Sequence, residues 1–225
     1  MWASLLRFGD FIYDLMPRLI SNYKWRHYRV RIKKANGKDI WIKINTKIYS
    51  KFHLKKELDK IYPVPTDVYQ SVSWWLIPEH LGAKSNRKGY PILDNFFLGS
   101  DYIMDFDLRD YAGINDIFKN IQLAKIELNN LNMYNLKFIK TGRGYQLLNQ
   151  DFNKWANVHV THPRDREKAY QDKMIKLTDI LLSRKIKWDS DVSRDTRRIF
   201  RVINTRHFNG EIIKLINAGE INEIN

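Results

Sequence analysis

The chain has 225 residues and no cysteine, and its 39 Lys and Arg against 25 Asp and Glu give a formal net charge of +14 at pH 7. That length buries a real core without covalent staples, while the missing thiols exclude a disulfide framework and any thiolate zinc site. No apolar run approaches the ~20 residues of a membrane span, and the excess positive charge points to a polyanionic partner, nucleic acid ahead of an anionic membrane surface.

The start, Met1-Trp-Ala-Ser-Leu-Leu-Arg7, is soon broken by charge and does not read as a signal sequence, so a soluble cytoplasmic protein is expected. Residues 3–20 read as a helix with Leu5, Leu6, Phe8, Ile12, Leu15 and Leu19 along one side. Residues 28–34 and 39–44 alternate around Asn36-Gly37, the pair favoured in type I′ hairpin turns. One face of this hairpin carries Tyr28, Val30, Ile32, Ile40, Ile42 and Ile44, and the other Arg29, Arg31, Lys33, Trp41 and Lys43. Such a basic face with an aromatic in it tracks a phosphate backbone and stacks a base; the alternative is a solvated face with Lys guarding an edge strand. Residues 50–60 form a short helix that stops before Pro63 and Pro65, 67–75 a β-branched and aromatic strand, and 84–91 an exposed basic loop.

The run Ile103-Met-Asp-Phe-Asp-Leu108 puts Asp105 and Asp107 on one face of a strand. Two carboxylates there repel each other, and a hard divalent cation relieves them; paired Mg²⁺ or Mn²⁺ ions are the usual device of phosphoryl-transfer sites. The competing reading is that one Asp faces a solvated rim and the other caps a turn. Residues 117–131 keep helical spacing, with Asn115 available as a cap. A strand over 136–140 turns through Thr141-Gly142-Arg143-Gly144 into a strand over 145–148; the glycines let backbone amides approach a ligand while Arg143 offers an anion-binding fork, although many such turns bind nothing. A long helix over 163–185 faces Tyr170, Met174, Leu177 and Leu181 inward. The last third adds Asp189, Arg201 and His207 as a third polar cluster. This succession of strand, helix, strand, turn and strand predicts an α/β (α+β) protein.

At these residues the sequence resembles a known family. Hydrophobic-Asp-hydrophobic-Asp at 104–107, a Gly-Arg-Gly-aromatic turn at 142–145, and Asp189-Ser-Asp-Val-Ser-Arg-Asp195 followed by Arg198-Ile-Phe-Arg-Val-Ile-Asn-Thr-Arg-His207 stand in the order seen in the catalytic small subunit of DNA primase and the wider archaeo-eukaryotic primase superfamily. Residues 68–73 and 97–107 also resemble the strands that lead into that family's acidic pair, so the likeness spans roughly residues 25–210. It implies a single primase catalytic domain over 1–225, with an N-terminal α/β module bearing the hairpin over 1–100 and a catalytic antiparallel sheet of RNA-recognition type over 101–225. It also implies a template-directed nucleotidyltransferase that starts or extends primers, with Asp105, Asp107 and Asp189 as catalytic metal ligands for two Mg²⁺ or Mn²⁺ ions. Thr141, Gly142, Arg143, Gln146, Arg201 and His207 would hold the incoming nucleoside triphosphate, and Arg29, Arg31, Lys33 and Lys43 the nucleic acid. DNA template and primer are the implied partners at a replication fork, with a primase large subunit or a replicative helicase as further candidates and no membrane.

The sequence departs from that family in three places. Gln146 stands where the family has His, Ile203 where it has Pro, and the absent cysteines leave no zinc knuckle, with His159 and His162 only half a zinc site, so no structural zinc is expected. Gln hydrogen-bonds a phosphate but carries no charge. These departures keep one alternative open, a primase-fold nucleic-acid-binding protein without catalysis. Gly99-Ser100 lies too close to the acidic pair for the nucleotidyltransferase class that uses Gly-Ser and Asp-x-Asp, and no acid-x-Lys strand of nuclease type is present.

Overall fold

A computed structural model of the chain describes residues 26–33, 38–44, 46–61, 67–75, 97–160, 163–203, 205 and 211–216. The expected helix over 3–20, the Asn36-Gly37 turn, the basic loop over 84–91, the side chain of Lys33 and His207 lie outside the described residues.

Two antiparallel sheets form the frame. In the first, β1 (Arg26–Lys33) pairs with β2 (Asp39–Lys43) and with β3 (Asp67–Trp75). The far side of β3 is shared end to end by β4 (Phe97–Ser100) and by β8 (Ile199–Arg201). Alternation sorts the faces as the sequence predicts: Val30, Ile44 and Val68 are buried under α1 (Lys51–Leu58), which contributes Leu54, while Arg29, Arg31, Trp41 and Lys43 share the opposite face. Ser50 caps α1 by accepting the His53 amide at 3.1 Å.

The second sheet runs β5 (Tyr102–Asp107), β7 (Gly144–Asn149), β6 (Leu136–Thr141), β9 (Lys214–Ile216). One face is covered by α2 (Ile114–Asn130), whose Ile117, Phe118, Ile121, Ala124 and Leu128 are all buried, with the Phe118 and Tyr145 rings 4.9 Å apart. After the short α3 (Phe152–Ala156), α4 (Pro163–Ser183) buries Tyr170, Met174, Leu177 and Leu181. It packs on β4 and β5 through the Tyr170 and Phe97 rings, 5.1 Å apart, and a 2.8 Å bond between Thr178 Oγ1 and Tyr102 Oη.

The sheets meet at Asp101, the single residue between β4 and β5. Its buried carboxylate is ion-paired with Arg26, whose guanidinium also donates to the Ser71 carbonyl at 2.6 Å and lies against the rings of Trp74 and Phe200. A charge pair at this depth persists only because those acceptors and rings surround it. Val72, Trp75 and Phe97 from the first sheet join Tyr102, Phe106 and Leu147 from the second in one apolar core.

The fold is α/β with antiparallel sheets, as expected, and two details differ from the sequence reading. Gly113, not Asn115, occupies the cap position of α2, because the helix starts at Ile114 and the Ile117 amide already bonds back to the Gly113 carbonyl at 3.3 Å. α4 stops at Ser183, where the chain turns and Lys185 takes a left-handed φ of 62°. β8 returns from the C-terminal third of the chain to pair with β3 of the first sheet.

Candidate active site

β5 is an edge strand, and its outer side decides the geometry of the acids. Its Ile103 and Asp105 carbonyls have no strand partner there and are taken instead by the segment after α4: Ser193 Oγ donates to Ile103, and the Asp189 amide donates to Asp105 at 2.9 Å. Trp188 holds this segment by donating Nε1 to Ser193 Oγ at 2.8 Å. Asp189 stands at the cap position of α5 (Ser190–Ser193) but makes no side-chain cap bond, so its carboxylate is not spent on the helix. The two acids, remote in sequence, are thereby fastened together through the backbone.

Asp105 and Asp107 lie on the face of β5 opposite the fully buried Met104 and Phe106. Across the ladder, Asp105 faces Gln146 and Asp107 faces Gly144. Gly144 is required: a Cβ there would lie 2.1 Å from the Phe106 carbonyl oxygen. The two-residue turn Gly142-Arg143 is tied to the end of β5 by the Leu108 amide, which donates to the Arg143 carbonyl at 2.9 Å. Asp105, Asp107 and Asp189 line one cavity of about 530 Å³ with Thr141, Arg143 and Gln146; Arg29, Trp41, Tyr69 and Arg201 of the first sheet close its other side.

The electrostatics differ between the acids. Burial pushes the Asp105 carboxyl up to about 6, and Asp189 pushes the same way against the Gln146 hydrogen bond and the Arg201 and Arg198 charges. Asp107 is held below the ordinary carboxylate range by Arg109, whose Nε and Nη2 reach its oxygens at 3.0 and 2.6 Å. Asp107 also accepts the Arg109 amide at 3.1 Å and so caps the 3₁₀ turn Leu108–Asp110.

On the first sheet, Lys43, Arg29, Tyr69 and Arg201 form one row across β2, β1, β3 and β8. The Arg201 guanidinium lies 5.4 Å from the Tyr69 ring centroid, and its Nε is 3.7 Å from Asp67. The Trp41 and Tyr69 rings are 5.1 Å apart.

No family model matches this sequence, and no curated protein matches it. The fold has a counterpart among solved structures. The polymerase domain from Mycobacterium tuberculosis Ligase D in complex with DNA superposes with a TM-score of 0.51, over 96% of this chain and 81% of that one, at 7% sequence identity. What is shared is the primase-polymerase-like arrangement of antiparallel sheets and helices.

Within this polymerase-like fold the structure places the anticipated residues as follows. Asp105, Asp107, Asp189, Thr141, Arg143, Gln146, Arg201 and Arg29 all line the cavity, and Gly142 stands in its turn. Arg31 reaches Asp67 at 2.7 Å and Asp39 at 3.4 Å, carboxylates that offset its charge on the basic face. Lys43 sits beside Arg29 in the register but outside the cavity lining. Tyr69, Arg109 and Arg198 line the cavity and were not anticipated as site residues; only the local Asp-Leu-Arg spacing at 107–109 hinted at Arg109.

The donor set can be tested against a divalent metal. Among the described residues, no three His, Asp or Glu side chains are gathered as a metal-holding group. The carboxylates of Asp105 and Asp189 nevertheless fit a hard cation: they share one cavity, are linked through the backbone, and burial penalises the charge on Asp105 until a cation arrives. Both oxygens of Asp107 already accept from Arg109, an exposed pair of a kind that contributes little to stability.

Proposed function

We propose that this chain is a divalent-metal-dependent, template-directed nucleotidyltransferase of the primase-polymerase kind, synthesising or extending primers on a DNA template. The observation that carries the reading is the bond from the Asp189 amide to the Asp105 carbonyl, which brings an acid from the last third of the chain to the acidic strand, in a cavity whose other wall is cationic. The likeness of fold to a polymerase domain solved with DNA supports it.

Asp105 and Asp189 would hold the metal, joined by Asp107 once Arg109 lets go. Bound Mg²⁺ or Mn²⁺ would supply Lewis-acid activation of a primer 3′-hydroxyl and stabilisation of the leaving pyrophosphate. Arg143 at the hairpin turn and Arg201 across the cavity would neutralise the triphosphate from two sides, and Asp67 and Tyr69 orient the Arg201 fork. The row Lys43, Arg29 and Tyr69, with Trp41 beside it, offers cations for phosphates and rings for bases, which suits a single-stranded template.

One observation favours a second reading, binding without catalysis: Asp107 is engaged by Arg109. Incubation with primed template, labelled nucleotides and Mn²⁺ separates the two. Extension by the wild type and its loss in Asp105→Asn/Asp107→Asn is expected. Equal signal from both proteins, or none from either, alongside intact DNA binding, favours the binding-only reading.

A further inference from the structure

Gln146 lies on β7 opposite Asp105, is 5% exposed and lines the cavity. Its side-chain amide hydrogen-bonds the Asp105 carboxyl across the ladder. Its Oε1 is buried and has no hydrogen-bond partner among the described residues. On its other flank the register places Ile139 of β6, an apolar neighbour with no donor, and Thr141 Oγ1 faces the Arg143 amide at 3.5 Å. A buried acceptor left unpaired is costly, and its natural complement is a donor on whatever fills the cavity.

Phosphate oxygens do not provide that donor. A phosphate oxygen has no hydrogen to give, so the triphosphate leaves Oε1 unpaired whatever the two N–H bonds of the amide reach. In a nucleoside triphosphate the donors that stay constant while the base changes are the sugar hydroxyls. We propose that Gln146 is a specificity residue that accepts a hydrogen bond from a sugar hydroxyl of the bound nucleotide while its amide group positions Asp105. This rests on the reading of the cavity as a nucleoside triphosphate site.

The test is isothermal titration of the full chain with ATP, 2′-deoxy-ATP and 2′,3′-dideoxy-ATP in Ca²⁺ buffer without template. One step in that series should weaken binding to the wild type by ~10-fold or more, as expected when a buried acceptor is left unpaired, and the step at which it falls identifies the 2′- or the 3′-hydroxyl. Gln146→Met should bind all three within about twofold of one another, because no acceptor remains to discriminate. Gln146→Glu, which keeps an acceptor oxygen, should retain the step and guards against a Met variant that fails to fold. Equal binding of the three nucleotides by the wild type, or a step preserved in Gln146→Met, overturns the proposal and leaves the nucleotide site standing. No binding of any of the three to the wild type overturns the nucleotide site as well.

Discussion

Removing the charge of Asp105 should stabilise the metal-free protein at neutral pH, the reverse of what deleting a well-paired buried acid does. Burial raises its carboxyl from 3.8 to about 6, so the protonated form is the one that the fold prefers. The stability that this group contributes is whole below 3.8 and is lost as pH rises through about 6. A displacement of roughly two pH units corresponds to a penalty of about 3 kcal/mol at pH 8, and about half of that remains at pH 5. Asp105→Asn keeps an acceptor for the Gln146 amide and has no charge to bury. Urea denaturation in EDTA should show the variant more stable than the wild type by up to about 3 kcal/mol at pH 8, with the gap narrowing to about half at pH 5. Added Mn²⁺ should raise the midpoint of the wild type and leave that of the variant nearly unchanged, since only the wild type offers the ionised carboxylate. A variant less stable than the wild type by the same amount at both pH values would refute the reasoning.

Three other outcomes follow from the same geometry. Gly144→Ala places a methyl 2.1 Å from the Phe106 carbonyl and must push β5 from β7; a loss of roughly 2–4 kcal/mol is expected in urea denaturation, and an unchanged midpoint would show that the turn relaxes freely. Arg26→Met takes the cation from the wholly buried Asp101 and should cost about 3–5 kcal/mol, much of it recovered in Arg26→Met/Asp101→Leu; a double variant as unstable as the single would contradict the desolvation argument. Single-stranded DNA affinity should fall steeply with salt, and Arg29→Ala and Lys43→Ala should each flatten the log–log slope by roughly 0.7–1; an unaltered slope removes the first-sheet row from the template path.

Much of the frame was legible in the sequence because its signals are long and periodic. The alternation over 28–34 and 39–44, and the apolar spacing of Ile117 to Leu128 and Tyr170 to Leu181, each repeat often enough to fix a face, while 67–75 shows as a strand through its β-branched and aromatic content. β8 and β9, three residues each, and α3, five residues, are too short for any period to show; the two strands form by pairing with the edges of β3 and β6. Asn115 misled because Asn is a good cap in isolation, whereas the helix begins one residue before it.

The site was readable for a different reason. Nothing in the spacing of Asp105 and Asp189 says that they meet; only the order of motifs suggested it, and the physical cause is that β5 is an edge strand whose carbonyls need donors. The role of Asp107 as a turn cap belongs to the competing reading of Asp-x-Asp, and the same acid also lines the cavity. Arg109 escaped notice because a local Asp-Leu-Arg contact has no long-range signature.

The central claim, that acids from two distant stretches clamp a divalent cation beneath a nucleoside triphosphate, is tested most directly by the anomalous diffraction of crystals grown with Mn²⁺ and a nucleotide. The account predicts Mn²⁺ density coordinated by the carboxylates of Asp105 and Asp189, with Asp107 released from Arg109 to join them and the triphosphate between Arg143 and Arg201. Mn²⁺ bound elsewhere, or an Asp189 carboxylate that stays out of coordination while nucleotide is present, would contradict it.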